Sequence, residues 1–292
     1  METSDVAPIE ILDVLWASDA EGMRLPARRS EAVERLRASG QHDAAGLVAA
    51  VPAQDDVFDE EAVNQVFLAV HLELARLSEF VRFPQRMASV LEGLIARVRE
   101  TTPGPIRVVD VGCGIGYNLR VIADSGRLGP DVEFVGVDLN GLLVEAARRL
   151  AKAENINARF EHGDALSSDL AVEDPQRTVM ISSALLHHLG PTQLPEFLRR
   201  HDELGVAAFA HFDVNPGLWA NVGAWMLHSA RMREPISRHD GAMSMRRSMT
   251  SETLLELARA ALGASYALEC ETLTKWWPQP SLIVRPLLGV RA

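Results

Sequence analysis

Asp110-Val111-Gly112-Cys113-Gly114-Ile115-Gly116-Tyr117-Asn118 is the stretch whose reading decides the fold. Ahead of it, Ile106-Arg107-Val108-Val109 reads as a buried parallel strand; behind it, Leu119-Arg120-Val121-Ile122-Ala123 reads as the start of a helix. A strand that runs into closely spaced glycines and then a helix lets a ligand approach bare backbone at a helix N-terminus. The dinucleotide fingerprint, G-x-G-x-x-G, does not fit: the position three after Gly114 is Tyr117, and Gly116 comes too early. Asp110, at the strand end, would repel a pyrophosphate but suits a ligand that bears an ammonium group.

Read as D-V-G-C-G-x-G, Asp110 to Gly116 resembles motif I of the class I S-adenosylmethionine-dependent methyltransferases. The resemblance implies that Asp110, Gly112, Cys113 and Gly114 lie beside the aminoacyl part of the cofactor, S-adenosyl-L-methionine. Three further segments resemble the family in order. Glu133 to Asn140 is a second apolar strand ending in an acid, ahead of an amphipathic helix from Leu142 to Ala153. There Asp138, with Leu139 beside it, inherits the family's ribose-binding place. Ala158 to Leu166 is similar to the strand-three end, where Asp164, followed by Ala165, would meet the adenine amino group. Val179 to Leu189 carries Ser182 and Ser183, which the resemblance implies as cofactor contacts, and the pair His187-His188, similar to the family's strand-four sequence in small-molecule enzymes. Each residue also has a plainer reading. The glycines can form a tight connection, Asp138 a helix N-cap, Asp164 a turn, Cys113 a packing residue, and the histidines a solvated or capping pair.

Composition narrows the classes. At 292 residues, with 47% hydrophobic and 24% charged residues, the chain fits a globular protein with a catalytic domain and a helical cap. The apolar runs fall short of the roughly 20 residues of a membrane span, and the start, Met-Glu-Thr-Ser-Asp, lacks the pattern of a signal peptide. Two cysteines, Cys113 and Cys270, make no disulfide framework, so a reducing cytoplasm is expected. A net charge of -11 argues against a nucleic-acid partner. Richness in Ala, Arg and Leu resembles a chain from a high-GC bacterium. No acidic metal-ligand cluster is legible, so no metal is expected, and a homodimer stays open.

The expected architecture is α/β: a Rossmann-like seven-stranded mixed sheet, mostly parallel, with a terminal antiparallel hairpin, a helical N-terminal region and an inserted cap. Residues 1–100 show no strand signal. Their helical stripes run through Val63, Phe67, Val70 and Leu74 and through Met87, Leu91, Leu94 and Val98, with shorter helices at Ile9 to Trp16 and Ser30 to Ala38. Strand and helix signals then alternate to about 214, ending in a fifth strand, Val206 to Asp213. Thr250 and Gly263 frame a helix, and Leu268 to Trp277 and Ser281 to Leu287 form the hairpin. Residues 1–100 are therefore read as a substrate-covering region and 101–292 as the cofactor-binding methyltransferase domain, with 215–249 as its inserted cap. Trp219, Trp225 and His228 in that insertion, with His211 on strand five, are the candidate substrate contacts. Trp225 and His228 share a helical face that equally fits packing. Arg238 to Gly241 reads as a turn, with Asp240 solvated.

A sulfonium methyl is already activated, so the protein must align the acceptor and exclude water. A phenol, hydroxyl or enol-like carbon also loses a proton, which suits a histidine near neutral pH. His187 or His188 is the expected base, with Tyr117 as a partner. The acceptor is expected to be a small aromatic metabolite, methylated on oxygen or on an electron-rich carbon such as that of an indole, in bacterial natural-product biosynthesis. Ser182-Ser183-Ala184-Leu185 replaces the Asn-Pro-Pro-Tyr-like motif of amino methyltransferases. The alternatives are an inactive cofactor-binding or assembly protein and a nicotinamide-dependent oxidoreductase.

Overall fold

The computed structural model describes residues 8–18, 24–166, 172–216, 223, 226, 228–270 and 284–292. The chain divides into two compact units, Met1–Leu74 with Gly217–Arg247, and Ala75–Pro216 with Ser248–Ala292.

In the first unit a 3-10 turn at Leu12–Val14 leads into β1 (Trp16–Ser18), which pairs antiparallel with β2 (Arg24–Pro26). The helices α1 (Arg29–Ala38) and α2 (His42–Ala49) follow, then the two-residue strands β3 (Ala53–Gln54) and β4 (Val57–Phe58), and α3 (Glu60–Phe80), whose residues from Ala75 onward belong to the second unit. The absence of a strand signal in residues 1–100 is thus corrected: strands of two or three residues are too short to show a period. The expected helix from Ile9 to Trp16 shrinks to one 3-10 turn because the chain turns into β1 there.

Asp240 is also corrected. It lies inside a helix, Pro235–Arg247, and is buried rather than solvated. Its carboxylate accepts from the backbone amides of Ile11 (2.7 Å) and Leu12 (3.1 Å) and from His239 Nδ1 (2.7 Å). A carboxylate bound to three donors carries its charge into a buried place without a bare desolvation cost. Gly241 follows it for a packing reason: a Cβ there would stand 2.0 Å from His228 Nδ1.

The second unit contains α4 (Phe83–Thr101), β5 (Ile106–Val111), α5 (Tyr117–Asp124), β6 (Val132–Asp138), α6 (Gly141–Glu154) and β7 (Arg159–His162). It continues through β8 (Thr178–Ser183), α7 (Leu186–Leu204) and β9 (Ala208–Val214). With the Pro235–Arg247 helix counted as α8, it ends in α9 (Ser251–Leu262), β10 (Tyr266–Cys270) and β11 (Val284–Arg291). The seven strands lie in the order β10-β11-β9-β8-β5-β6-β7. β5 to β9 are parallel, and β11 runs antiparallel to both β9 and β10. This is the expected mixed sheet. The hairpin strands differ in their bounds, and residues 271–283 lie outside the described residues.

Strand alternation sorts the core into two layers. Val108, Phe134, Val179, Ile181, Ala208 and Phe212 face α4, α5 and α6. Val109, Val111, Val137, Met180, Phe209 and Leu287 face α7 and α9. Strands covered on both faces read as continuous apolar runs, which is why the sheet was legible. Thr250 caps α9 by accepting from the Thr253 amide at 3.2 Å, and Gly263 stops it. In α7, Gly190 breaks the helical dihedrals (φ 60°, ψ -176°) just ahead of Pro191. Among the described residues, no helix is long and apolar enough to cross a membrane.

Candidate active site

The parallel strands deliver their acids to one edge of the sheet, the carboxyl edge where open α/β sheets bind ligands. Asp110 stands near the end of β5, only 1% exposed, and its Oδ1 has no hydrogen-bond partner among the described residues. Burial, and then the negative charge of Asp138, push its carboxyl up to about 8. A buried carboxylate with an unused acceptor fits the ammonium of an aminoacyl cofactor, which would restore its ionised form.

The loop that follows is shaped by its glycines. Gly112, Gly114 and Gly116 all have positive φ (70°, 56° and 69°). A Cβ on Gly116 would lie 2.3 Å from the Phe160 ring, and one on Gly136 of β6 would lie 2.5 Å from the same ring. Gly116→Ala therefore combines left-handed strain with a clash against a core aromatic. It is expected to cost roughly 1–3 kcal/mol or more of stability, read as a lowered denaturant midpoint; an unchanged midpoint would contradict the close approach. Cys113 turns inward, and burial raises its thiol pKa well above the ordinary value, so it is an inert packing group whose amide donates to Val137 O at 3.1 Å.

Asp138 ends β6 and holds the loop in place. Its Oδ2 accepts from the Gly114 amide (2.7 Å) and its Oδ1 from the Asn140 amide (2.8 Å). The helix N-cap is Asn140, whose side chain accepts from Leu142 and Leu143 amides. Each Asp138 oxygen keeps a lone pair for a further donor. Leu139 is partly exposed, and its carbonyl accepts from His162 Nε2 at 3.0 Å. Past β7, Asp164 is half-buried and forms an Asx turn to the Leu166 amide (2.8 Å), with half-buried Ala165 between them. Asp138→Ala should weaken binding of S-adenosylmethionine by roughly 1.5–3 kcal/mol, through loss of a charged acceptor. Calorimetric titration with unchanged affinity would refute this.

The β8–α7 junction holds the paired histidines. His187 is buried, and its Nδ1 donates to Asp213 Oδ1 at 2.8 Å while its amide donates to Asp213 Oδ2 at 2.8 Å. The Val214 amide adds a third bond, 2.7 Å. Burial alone would raise the Asp213 carboxyl, but the charge of His187 and these bonds outweigh it and hold the pKa below the ordinary value. With Nδ1 committed to a carboxylate, proton exchange is directed to Nε2. His188 is half-buried, its ring centroid 4.3 Å from that of His187 at a 36° tilt. Asp213 carried no assigned role in the sequence reading; the signal was the same as for Asp110 and Asp138, an acid at a strand end.

Other expected residues fall elsewhere. Ser182 and His211 are fully buried between β8, β9 and α7. His201 Nδ1 bonds Phe197 O (2.8 Å), His201 Nε2 meets His211 Nε2 (2.9 Å), and His211 Nδ1 meets Ser182 Oγ (2.9 Å). With neutral rings the Phe197 carbonyl orders the protons along this chain: His211 Nε2–H donates to His201 Nε2, and Ser182 Oγ–H donates to His211 Nδ1. Burial pushes His201 down to about 4; burial, with His201 beside it, pushes His211 well below its ordinary range. These groups satisfy one another inside the core, so Ser182 presents no hydroxyl to a cofactor and His211 no nitrogen to a substrate. Ser183 accepts from Asn118 Nδ2 at 3.1 Å. Tyr117 opens α5; burial, then Glu79, raises its pKa, with Arg120 opposing and Glu154 adding to the rise, so its electrostatic surroundings are α3, α5 and α6. His228 lies in the first unit, where burial lowers its pKa. Trp219 and Trp225 lie outside the described residues.

A family model described as a methyltransferase domain matches residues 108–204. A protein-L-isoaspartate O-methyltransferase from Methanothermobacter thermautotrophicus is 26% identical over 156 residues, covering 53% of this chain and 64% of its own length. The match thus takes in less than two thirds of that relative. Among solved structures, the plantazolicin methyltransferase BamL, in complex with a triazolic desmethylPZN analogue and SAH, aligns with a TM-score of 0.55 at 13% identity, over 80% of this chain and 98% of its own. Magnesium protoporphyrin IX methyltransferase (ChlM) from Synechocystis PCC 6803, with bound SAH, aligns at 0.51 and 13% identity, over 80% and 100%. At these identities the structural likeness is one of fold.

Proposed function

We propose that this chain, which carries a class I S-adenosylmethionine-dependent methyltransferase domain, methylates an oxygen or an electron-rich carbon of a small aromatic acceptor, with His187 as the base. The observation that carries this reading is the His187–Asp213 pair at the carboxyl edge of the sheet, between β9 and the start of α7, which follows β8, the neighbour of the strand that feeds the acid-bearing glycine loop.

S-adenosylmethionine supplies a methyl already activated on a sulfonium. Asp110 is assigned to its ammonium, the loop from Gly112 to Gly114 to its aminoacyl part, Asp138 with Leu139 to its ribose, and Asp164 with Ala165 to its adenine. The remaining work belongs to the acceptor. A phenolic oxygen or an indole carbon sheds a proton as it is methylated, and Nε2 of His187 receives it. Asp213 holds the ring in the tautomer that leaves Nε2 basic and stabilises the imidazolium that forms. His188 packs on the ring and limits its rotation. Acceptor choice is assigned to residues 1–100 and the 215–249 insertion, with Trp219 and Trp225 supplying aromatic faces. Trp219→Ala and Trp225→Ala should then raise acceptor KM while SAH affinity holds; the reverse pattern would remove that assignment. The net charge of -11 favours a small acceptor over nucleic acid.

The deciding experiment is incubation with methyl-labelled cofactor and a panel of phenols, indoles and hydroxylated polyketides, followed by mass location of the methyl. An isoaspartyl peptide belongs in the panel as a chemical contrast, because a carboxylate acceptor has no proton to lose and needs no base. Label on an aromatic oxygen or carbon is the expected result. Label on the peptide carboxylate alone, or SAH binding without turnover across the panel, would overturn the reading.

A further inference from the structure

Asn118 has no place in the roles above, yet its side chain joins the glycine loop to the turn that bears His187. It is the second residue of α5, directly behind the loop. Its Oδ1 accepts from Ser78 Oγ at 2.6 Å, on α3, and its Nδ2 donates to Ser183 Oγ at 3.1 Å, on the last residue of β8. Ser183 is followed by Ala184, which is exposed and held at φ 55°, a left-handed conformation that an alanine rarely takes. Such strain persists only where the surroundings over-determine the backbone.

The anchors of this turn are specific. The Ala184 amide donates to Phe212 O at 2.8 Å, and the His187 amide to Asp213 Oδ2 at 2.8 Å. Both tie the turn to β9. Asn118 ties it to the opposite side, the helix that springs from the glycine loop. The Leu185 side chain completes the link, since a Cβ on Gly112 would lie 3.3 Å from its Cδ1. Asn118 is thus a direct hydrogen-bonded path from the α5 N-terminus to the residue next to the strained turn.

We propose that Asn118 is a positioning residue that couples the cofactor loop to His187, so that occupancy of the loop sets the geometry of the base. The proposal rests on the reading of these two places as cofactor site and base. Geometry alone does not establish coupling, so the test must read both ends.

The full chain, with 15N-labelled histidine, is titrated with SAH while the ring signals of His187 are followed; they are assigned by their loss in His187→Gln. In the wild type, saturation with SAH should move them. Asn118→Leu keeps the size of the side chain but removes its donor to Ser183, and a leucine offers the Ser183 hydroxyl no acceptor in exchange. It should bind SAH within about fivefold of wild type, the scale of one neutral hydrogen bond, while the His187 response is largely lost. Ser183→Ala, which removes the acceptor, should do the same, and the double variant should do no more than either single change. If Asn118→Leu fails to fold, Ser183→Ala carries the test. A wild type that does not bind SAH would defeat the functional reading itself. Binding without a His187 response, or a full response in either folded variant, would overturn the coupling and leave the functional reading intact.

Discussion

His187→Ala is expected to lower the methyl-transfer rate by roughly 10²–10⁴-fold, the usual span for loss of a positioned general base. Affinity for SAH should change far less, because the loop, Asp110 and Asp138 are untouched. Asp213→Asn is the sharper variant. It preserves shape but can present an amide N–H to His187 Nδ1, which would force the ring into the tautomer with its proton on Nε2. A base with a proton already on the wrong nitrogen cannot accept another from the acceptor. The loss should approach that of His187→Ala, and His187→Ala/Asp213→Asn should be little worse than either alone. His188→Ala should cost much less, since its ring packs on His187 and the Asp213 carboxylate is bonded to its neighbour. Single-turnover rates with saturating acceptor are the measurement. Wild-type rates in both His187→Ala and Asp213→Asn, with the transfer step limiting, would show that the acceptor needs no base or finds another.

The sheet was legible because its signal is local. Val108-Val109, Phe134-Val135 and Val179-Met180-Ile181 are short apolar runs, and these three strands are buried on both faces. Acids at the ends of β5 and β6 marked the ligand edge for the same reason: strand, acid and turn are contiguous. What escaped the sequence was set by partners far along the chain. Asp240 reads as a turn residue until the Ile11 amide, 229 positions away, is placed against it. His211 reads as a pocket residue until Ser182 and His201 use both of its nitrogens. Asp213 needed His187, 26 positions earlier, to show its purpose. A buried polar group declares its role only through its partner, and no periodicity in one segment reports that partner. Strands β1 to β4 escaped for another reason, as two or three residues cannot display alternation.

Asp110 should make both stability and cofactor binding depend on pH, with stability running in the direction opposite to that of an ordinary carboxylate. Its folded pKa, pushed up to about 8, lies above the ordinary value of 3.8. Between those values the folded chain holds a proton that the unfolded chain releases, so the fold loses stability as pH rises, and the loss is complete above about 8. His201, lowered to about 4, acts the other way between its two pKa values, because there the unfolded chain binds the proton. The two effects oppose each other below pH 6.5, and Asp110 stands clear of His201 from about 6.5 to 8. Over that interval the limiting slope for one proton, about 1.4 kcal/mol per pH unit, allows about 2 kcal/mol of loss. Asp110→Asn should flatten it. An ammonium placed by Asp110 reverses the cost, since it favours the ionised carboxylate. SAH should therefore bind more tightly as pH rises toward 8, and calorimetry at pH 7 in buffers of different ionisation enthalpy should show a proton released. In Asp110→Asn that proton release should vanish, with affinity lower by about 2–5 kcal/mol, the usual cost of losing one partner of a buried charge pair. A wild type whose stability is flat from pH 6.5 to 8 would refute the raised carboxyl, and one whose stability falls over that interval yet binds SAH with no proton released would place the ammonium elsewhere.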